Sequence, residues 1–280
     1  MTSSHRFSQV DVFTAEPYLG NPVAVVHDAD DLSDAQMAAF ARWTNLSETT
    51  FLLRPTVAGA DYRLRIFTPG GELPFAGHPT LGSCHAWLSA GGSAAGGPDV
   101  LQECAVGLVP LRQGADGLQF SAPPPLVDTP VDPALLDRAV AALGLPPEAV
   151  VDHRFLDNGP RWNVLLLDSA ARVLDLRPDV PALGDVHLGV VGPYPDGSPV
   201  AFELRGFAPA IGVPEDPVTG SLNAVVGQWL IGSGRAPRRY VAAQGSALGR
   251  AGRIRVEQDA AGQVWVGGAT VTCIAGTVQI

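Results

Sequence analysis

The chain of 280 residues is long enough for one large domain or two smaller ones, and 46% of its residues are hydrophobic. Charged residues make up 16% of the chain, which argues against a disordered protein. The net charge is -10 and the arginines form no basic run, so a nucleic acid is not expected as a partner.

The cysteines and the N-terminal residues indicate the compartment. Cys84, Cys104 and Cys273 are far apart and form no CxxC or Cys/His pattern, so neither a disulfide framework nor a metal site is expected. The first residues lack the apolar core of a signal peptide, and no apolar run reaches the ~18–20 residues of a membrane span. These features predict a soluble, cytoplasmic protein with no membrane partner.

In the first half, hydrophobic periodicity and turn residues predict short strands and two helices. The strands are predicted at 7–13, 23–26, 51–53, 62–67, 100–104, 106–112 and 118–121, and the helices at 32–43 and 79–90. Ser33 is the expected N-cap of the first helix, and two glycines after residue 90 end the second.

The segment APPP at 122–125 is the strongest break in the chain and predicts a domain boundary. The expected half-domains are 1–122 and 123–267, with the final strand, about 268–280, returning to the first. In the second half, helices are predicted at 133–143, 180–183 and 221–231, and strands at 161–167, 188–191, 200–207, 253–258, 264–267 and 271–279. Many short strands with one long apolar helix per half predict an α+β fold of two related half-domains.

An internal repeat points the same way. The segments RIFTP at 65–69 and RGFAP at 205–209 share the pattern Arg-x-Phe-(Thr/Ala)-Pro. A Trp-Leu pair follows each segment at nearly the same distance, at 87–88 and 229–230. Duplication explains both matches, and coincidence in an Ala/Leu/Gly-rich sequence is the alternative.

Several motifs resemble the phenazine-biosynthesis (PhzF-like) isomerase family over nearly the whole chain. They are NLSETTF at 45–51, FAGHPT at 75–80, EDPVTGS at 215–221, DVF at 11–13 with GNPVAV at 20–25, and a glycine-rich segment at 244–254. The resemblance implies a diaminopimelate-epimerase-like fold of two pseudo-symmetric half-domains, each a β-barrel around a central helix. It also implies an active site in the cleft between the halves, and a homodimer.

The resemblance assigns catalysis to three residues. It makes Glu48 the acid/base, His78 a substrate-contacting or proton-transfer residue, and Asp216 a residue that holds the substrate amino group or assists proton movement. A carboxyl group in a mostly apolar cleft has a raised pKa, which suits it to take and return a proton. The alternatives are a capping carboxylate, a turn histidine and a helix-entry carboxylate, respectively, and Glu215 is expected to be structural.

Four further residues are predicted to bind the substrate. Gly77 and Gly220 lie at the starts of the two motif helices, where a missing side chain lets backbone N–H groups point at a ligand. Two such helix N-termini would form a carboxylate cradle, which predicts a small, carboxylate-bearing, amino-acid-like substrate. By resemblance, Ser221 and Asn21 contact this substrate as well.

No cofactor is expected. The chain has no lysine for a pyridoxal Schiff base and no Gly-x-Gly-x-x-Gly motif after a strand. The two-thiol mechanism of racemases with this fold is excluded, because 76–77 and 217–218 occupy the thiol positions without a cysteine. Leu222 stands where many relatives have a smaller residue, and this predicts a narrower pocket.

The favoured hypothesis is a cofactor-independent isomerase that moves a proton and a double bond in secondary-metabolite biosynthesis of the phenazine or antibiotic type. One alternative is an amino-acid racemase or epimerase that uses Glu48 and Asp216 as its two bases. The other is a non-catalytic protein that binds small acids on the same fold.

Overall fold

A computed structural model describes residues 3–114 and 117–280 of the chain. The chain forms two compact units. The first unit contains the chain up to Ser121 together with Gly267–Ile280, and the second is Ala122–Val266.

The first unit is built mainly from strands. These are β1 (Ser4–Val12), β2 (Asn21–Val26), β3 (Thr49–Leu53), β4 (Tyr62–Thr68), β5 (Gly71–Leu73), β6 (Val100–Cys104), β7 (Gly107–Gly114), β8 (Gly117–Ser121) and β18 (Thr270–Gln279). Its helices are α1 (Asp34–Thr44) and α2 (Gly77–Ser89). Antiparallel pairing joins β18 to β1, β1 to β2, β3 to β4, and β6 to β7 to β8, whereas β2–β3 and β4–β6 are parallel. The short strand β5 forms a hairpin with β4 just before α2.

Helix α2 is the buried centre of the first unit. Most of its residues are buried, and it packs closely on β1 and β2. Gly82 makes this approach possible, because a Cβ atom at that position would lie 2.4 Å from Cγ1 of Val23. A larger residue at 82 would push the helix away from the strands.

Helix α1 begins as the sequence predicts. Ser33 is the N-cap, and it forms a reciprocal capping box with Gln36. On the inner face of the helix, Met37 and Ala41 are buried in a core that includes Phe51 of β3.

The second unit has more helices. Its elements are β9 (Val127–Thr129), α3 (Pro133–Ala142), β10 (Val150–Asp157), β11 (Arg161–Leu167), α4 (Ala170–Asp175), α5 (Val180–Leu183), β12 (Leu188–Pro193), β13 (Phe202–Ala208), β14 (Val213–Asp216), α6 (Gly220–Gly232), β15 (Arg239–Gln244), β16 (Gly252–Gln258) and β17 (Val264–Gly268), the last two residues of β17 belonging to the first unit. Short 3₁₀ turns occur at Pro147–Ala149, Pro209–Ile211 and Ser246–Leu248. No helix in the described residues is long and apolar enough to cross a membrane.

The strand pairing of the second unit repeats that of the first. β10 pairs antiparallel with β11, β11 parallel with β12, β12 antiparallel with β13, and β14 forms a hairpin with β13 just before α6. After α6, β15 pairs parallel with β13 and antiparallel with β16. The order from β10 to β16 thus matches the order from β1 to β7. The α+β class with two related halves is confirmed, while closure of either sheet into a barrel stays a prediction.

The repeated Arg-x-Phe motif has the same structural role in both units. Arg65 of β4 forms a two-pronged ion pair with Glu72 of β5, with both N···O distances 2.7 Å. Arg205 of β13 pairs in the same way with Glu215 of β14, at 2.8 and 2.7 Å. Each guanidinium also lies over the ring of the phenylalanine two residues later, at 5.1 and 5.2 Å. The motif therefore fixes the hairpin that precedes each central helix, and Glu215 is structural as predicted.

The sequence did not predict six elements: β5, β9, β10, β14, β15 and α4. β10 is the longest of them, and its apolar residues stand in adjacent pairs, 150–151 and 155–156, instead of alternating. Its side chains are mostly half-buried, so the period of two that marks a strand is weak. β1 also ends one residue earlier than predicted, because Phe13 has a φ of 67°, outside the strand region.

Candidate active site

Glu48 lies in a tight polar turn between α1 and β3. The turn begins at the C-cap Asn45, whose φ of 54° reverses the chain direction. The hydroxyl groups of Thr44 and Thr49 lie 2.8 Å apart and close the turn. Glu48 is thus held between two fixed ends, directly before a strand whose residues are all buried.

The carboxyl group of Glu48 has the properties of a proton-transfer group. Its side chain is 12% exposed. Burial raises its pKa from 4.5 to about 7, and a hydrogen bond from Ser47 opposes the increase. Oε2 has no hydrogen-bond partner among the described residues. A carboxyl group with a pKa near neutrality can both accept and donate a proton under physiological conditions.

His78 and Asn21 lie next to Glu48. His78 is the second residue of α2 and is buried, and its Nε2 lies 3.3 Å from Oε2 of Glu48, without the alignment of a hydrogen bond. On the other side of the ring, Nδ2 of Asn21 lies 3.4 Å from Nδ1 of His78. The first unit thus brings together three of the predicted site residues in one buried cluster.

Gly77 precedes His78 and is the first residue of α2. The N-cap is Ala76, and no side chain caps the helix. The N–H groups of the first turn therefore lack the side-chain acceptor that Ser, Thr, Asp or Asn provides in other helices.

A buried polar network holds the N-terminal half of α2 in place. The hydroxyl of Tyr62 donates to Oε1 of Gln102, whose Nε2 donates to the hydroxyl of Thr80, at 3.0 and 3.1 Å. One turn further along α2, Ser83 donates to Thr50 of β3 at 2.8 Å. The strand that follows Glu48 is thus bonded to the helix that carries His78, which fixes the relative positions of the two residues.

Asp216 is the last residue of β14 in the second unit. Its Oδ2 accepts a 2.7 Å hydrogen bond from the hydroxyl of Thr219. The side chain of Gln244 forms three hydrogen bonds with the same turn, at 2.9–3.1 Å. Its Nε2 donates to O of Asp216 and to Oγ1 of Thr219, and its Oε1 accepts from N of Thr219. Thr219 is the N-cap of α6, but its hydroxyl bonds Asp216 instead of the helix, so α6 also begins at Gly220 without a side-chain cap.

Ser221 is the second residue of α6, the position that His78 occupies in α2. Nε1 of Trp162 donates to the Ser221 hydroxyl oxygen, and Nδ2 of Asn158 donates to the Ser221 carbonyl oxygen, both at 3.2 Å. Because the hydroxyl oxygen accepts from the indole, its own proton can be directed elsewhere.

Leu222 does not have the predicted role. It is fully buried, and its Cδ1 would lie 2.4 Å from a Cβ atom at Gly189 of β12. The side chain thus fills a notch between α6 and the sheet, and the prediction that it narrows a pocket is wrong.

The sequence interpretation missed residues that support the site, namely Asn158, Trp162 and Gln244. Gln244 lies inside the recognised glycine-rich motif, which could have identified it. Trp162 and Asn158 have no such signal, because their contact with α6 depends on the fold. Within the described residues, no group of three or more His, Cys, Asp or Glu side chains could hold a metal ion.

Comparison with known proteins identifies the family. The family model of phenazine biosynthesis-like proteins (PhzC-PhzF) matches residues 10–276. The chain belongs to this family. It is 38% identical to trans-2,3-dihydro-3-hydroxyanthranilate isomerase of Pseudomonas aeruginosa, over 92% of each chain. It is 39% identical to Antisense-enhancing sequence 1 of Schizosaccharomyces pombe, over 98% of each chain.

A solved structure supports the fold of this PhzF-family chain. The crystal structure of a PhzF-family protein from Bacillus anthracis matches with a TM-score of 0.85, covering 99% of this chain and 100% of the other at 22% identity. The predicted family is confirmed, and so is the isomerase class, since a well-covered relative bears that name. The roles assigned to individual residues stay predictions, namely Glu48, His78 and Asp216 in catalysis and Asn21, Gly77, Gly220 and Ser221 in substrate binding.

Proposed function

We propose that this PhzF-family isomerase moves a proton and a carbon–carbon double bond within a small, unsaturated, carboxylate-bearing amino acid, using no cofactor. The Pseudomonas aeruginosa relative is named for such a compound, trans-2,3-dihydro-3-hydroxyanthranilate. We assign the same class of cyclic amino acid to this chain, in secondary-metabolite biosynthesis of the phenazine or antibiotic type. The observation that carries the proposal is the buried carboxyl of Glu48, with its raised pKa, beside His78.

In the proposed reaction, the ionised Glu48 carboxylate takes a proton from one carbon of the substrate. The electron pair of the broken C–H bond enters the neighbouring unsaturated system, and the double bond moves along it. The neutral Glu48 carboxyl then delivers its proton to the carbon at the far end of that system. No atom or electron is gained or lost overall, so one carboxyl group is sufficient for both proton transfers.

The properties of Glu48 fit both steps. With a pKa of about 7, the ionised and neutral forms are similarly populated near neutral pH, so neither proton transfer is strongly uphill for the enzyme group. The close imidazole of His78 can stabilise charge on the carboxylate at the moment it forms.

The test follows conversion of trans-2,3-dihydro-3-hydroxyanthranilate by proton NMR, with the wild type, Glu48→Gln and Glu148→Gln. Glu148 is an exposed residue of the second unit and serves as the matched control. The wild type and Glu148→Gln should convert the compound equally, and Glu48→Gln should be slower by about a hundredfold or more. Equal rates for Glu48→Gln and the wild type would contradict the proposal.

The same spectra distinguish the alternatives. With the reaction run in D₂O, entry of deuterium at the amino-bearing carbon without movement of the double bond indicates an epimerase or racemase. Saturable binding with no exchange on any tested cyclic amino acid indicates a non-catalytic binding protein.

We also propose that the enzyme acts in the cytoplasm as a homodimer. Its three cysteines are free thiols, which fits a reducing compartment. Light scattering after size-exclusion chromatography tests the dimer, which predicts a mass of twice 29.1 kDa.

A further inference from the structure

Asn21 is directed at the central helix by its place in β2. Val23, two residues further along the strand, contacts α2 at Gly82. Because alternate residues of a strand share a face, Asn21 also faces α2. Its side chain is 1% exposed, and its Nδ2 lies 3.4 Å from Nδ1 of His78.

The backbone before Asn21 is fixed by a buried carboxylate. Asp11 of β1 is 2% exposed, and its Oδ2 accepts the N–H of Gly20 at 3.0 Å. Gly20 passes so close to β1 that a Cβ atom there would lie 2.1 Å from the carbonyl oxygen of Val12. Asn21 itself pairs with Val12 in the sheet. The backbone from which its carboxamide extends is therefore fixed both by this pairing and by the hydrogen bond of Asp11 to Gly20.

A neutral imidazole carries one proton, on either Nδ1 or Nε2. When the carboxamide N–H of Asn21 donates to Nδ1, that nitrogen must be the acceptor, and the proton is on Nε2. Nε2 is the atom that lies 3.3 Å from Glu48. The contact of Asn21 with Nδ1 thus determines whether Nε2, the nitrogen near Glu48, carries a proton or a lone pair.

We propose that Asn21 is a positioning residue that holds His78 in the Nε2–H tautomer, so that the ring nitrogen that lies 3.3 Å from Oε2 of Glu48 carries the proton. This inference rests on the proposed function for its catalytic meaning. It gives Asn21 a role different from the substrate contact that the sequence predicted.

The tautomer matters for the proposed reaction. An Nε2–H group on His78 stabilises the ionised carboxylate of Glu48. When the nearby Glu48 oxygen takes the substrate proton, that oxygen becomes neutral and the stabilising interaction with the N–H group is lost. The opposite tautomer would present a lone pair to the carboxylate, and the two would repel each other.

The tautomer can be measured directly in the free protein. The histidines are labelled with ¹⁵N, and long-range ¹H–¹⁵N correlation spectra show which ring nitrogen carries the proton. His78→Gln identifies the His78 signals by their loss. The wild type is expected to show Nε2–H for His78, with an unprotonated Nδ1.

Asn21→Asp is the informative variant, because it keeps the shape and replaces the donor by an acceptor. We expect the proton of His78 to move to Nδ1, or both nitrogens to be protonated. Asn163→Asp is the control, since Asn163 is also buried but belongs to β11 of the second unit. It should leave the His78 signals unchanged.

An Nδ1–H tautomer in the wild type would overturn the inference, and this result needs no variant to fold. An unchanged Nε2–H tautomer in a folded Asn21→Asp would overturn it as well. Neither measurement requires a substrate, so a failure here is distinct from a failure of the proposed isomerase activity.

Steady-state kinetics separate positioning from substrate binding. Under the inference, Asn21→Asp lowers kcat between about tenfold and about a hundredfold with little change in KM, the loss expected when a catalytic group is misplaced. A raised KM with an unchanged kcat would show substrate contact instead and would contradict the inference.

Discussion

The imidazole of His78 and the carboxyl of Glu48 approach within 3.3 Å, although His78 is the second residue of α2 and Glu48 is the last residue of the turn before β3. Their side chains are 5% and 12% exposed, so the interaction lies in a largely water-excluded environment. Electrostatic interactions are stronger there than in water, and a carboxyl group holds its proton more tightly.

The activity should depend on the ionisation of Glu48. Because the carboxylate accepts the substrate proton, kcat/KM should rise with pH, with an apparent pKa of about 7. Below that value, kcat/KM should fall about tenfold per pH unit. A pH–rate profile from pH 5 to 9 measures this. A midpoint near 4.5, the ordinary pKa of glutamate, would show that burial does not raise the pKa of Glu48.

The same group should make stability depend on pH. The pKa of Glu48 is about 7 in the folded chain and near 4.5 when unfolded, so the folded state binds the proton more tightly between these values. The contribution of this proton to the free energy of unfolding is complete below pH 4.5 and is lost as the pH rises through 7. At pH 8 the ionised group then destabilises the fold by up to about 3 kcal/mol.

Glu48→Gln removes this titration. Urea unfolding should show that the variant gains stability relative to the wild type as the pH rises from 4.5 to 8. Glu148→Gln, which removes an exposed carboxylate, is the matched control. A difference between Glu48→Gln and the wild type that is constant with pH would contradict the raised pKa.

The two equivalent ion pairs should differ in energy. Arg205 and Glu215 are 5% and 11% exposed, whereas Arg65 and Glu72 are 22% and 40% exposed. Glu215→Gln leaves a buried guanidinium without its counter-charge and should cost about 3 kcal/mol or more. Glu72→Gln should lower the free energy of unfolding by about 1 kcal/mol or less, because Arg65 keeps its ion pair with Asp34 and its contact with water. If urea unfolding gave equal losses of unfolding free energy for the two variants, the difference in burial would not make the two ion pairs differ in energy.

Two glycines of α6 form a matched test of helix packing. A Cβ atom at Gly227 would lie 2.6 Å from Cγ1 of Val256, whereas one at Gly232 would meet nothing within 4 Å. Gly227→Ala should therefore destabilise the protein by about 1–3 kcal/mol. Gly232→Ala should be neutral or stabilising by up to about 1 kcal/mol, since alanine favours the helix. Thermal unfolding measures both, and a change of the same sign and size in both would contradict the packing described.

The sequence predicted the central helices well, because their physical signals are local. The glycine-rich starts of α2 and α6 and the capping residue Ser33 of α1 mark helix ends within a few residues. The β10 and β15 strands were missed because tertiary pairing, not alternation, makes them strands: β10 is half-exposed, and β15 begins in an arginine-rich segment.

For the candidate site, motif resemblance predicted Glu48 and His78 but did not show that their side chains lie within 3.3 Å of each other. Their contact depends on the parallel pairing of β2 with β3 and on the packing of α2 against both strands. The contact between Trp162 and Ser221 likewise joins residues far apart in the sequence. No local pattern encodes such distances, so only the folded chain shows which residues support the site.

The central claim is that Glu48 transfers the proton, and the most direct test is the reaction of trans-2,3-dihydro-3-hydroxyanthranilate in D₂O. NMR follows both the movement of the double bond and the entry of deuterium at the reacting carbons. The wild type should show both processes, and Glu48→Gln should slow both by about a hundredfold or more while remaining folded. Deuterium entry and double-bond movement at the wild-type rate in Glu48→Gln would contradict the claim.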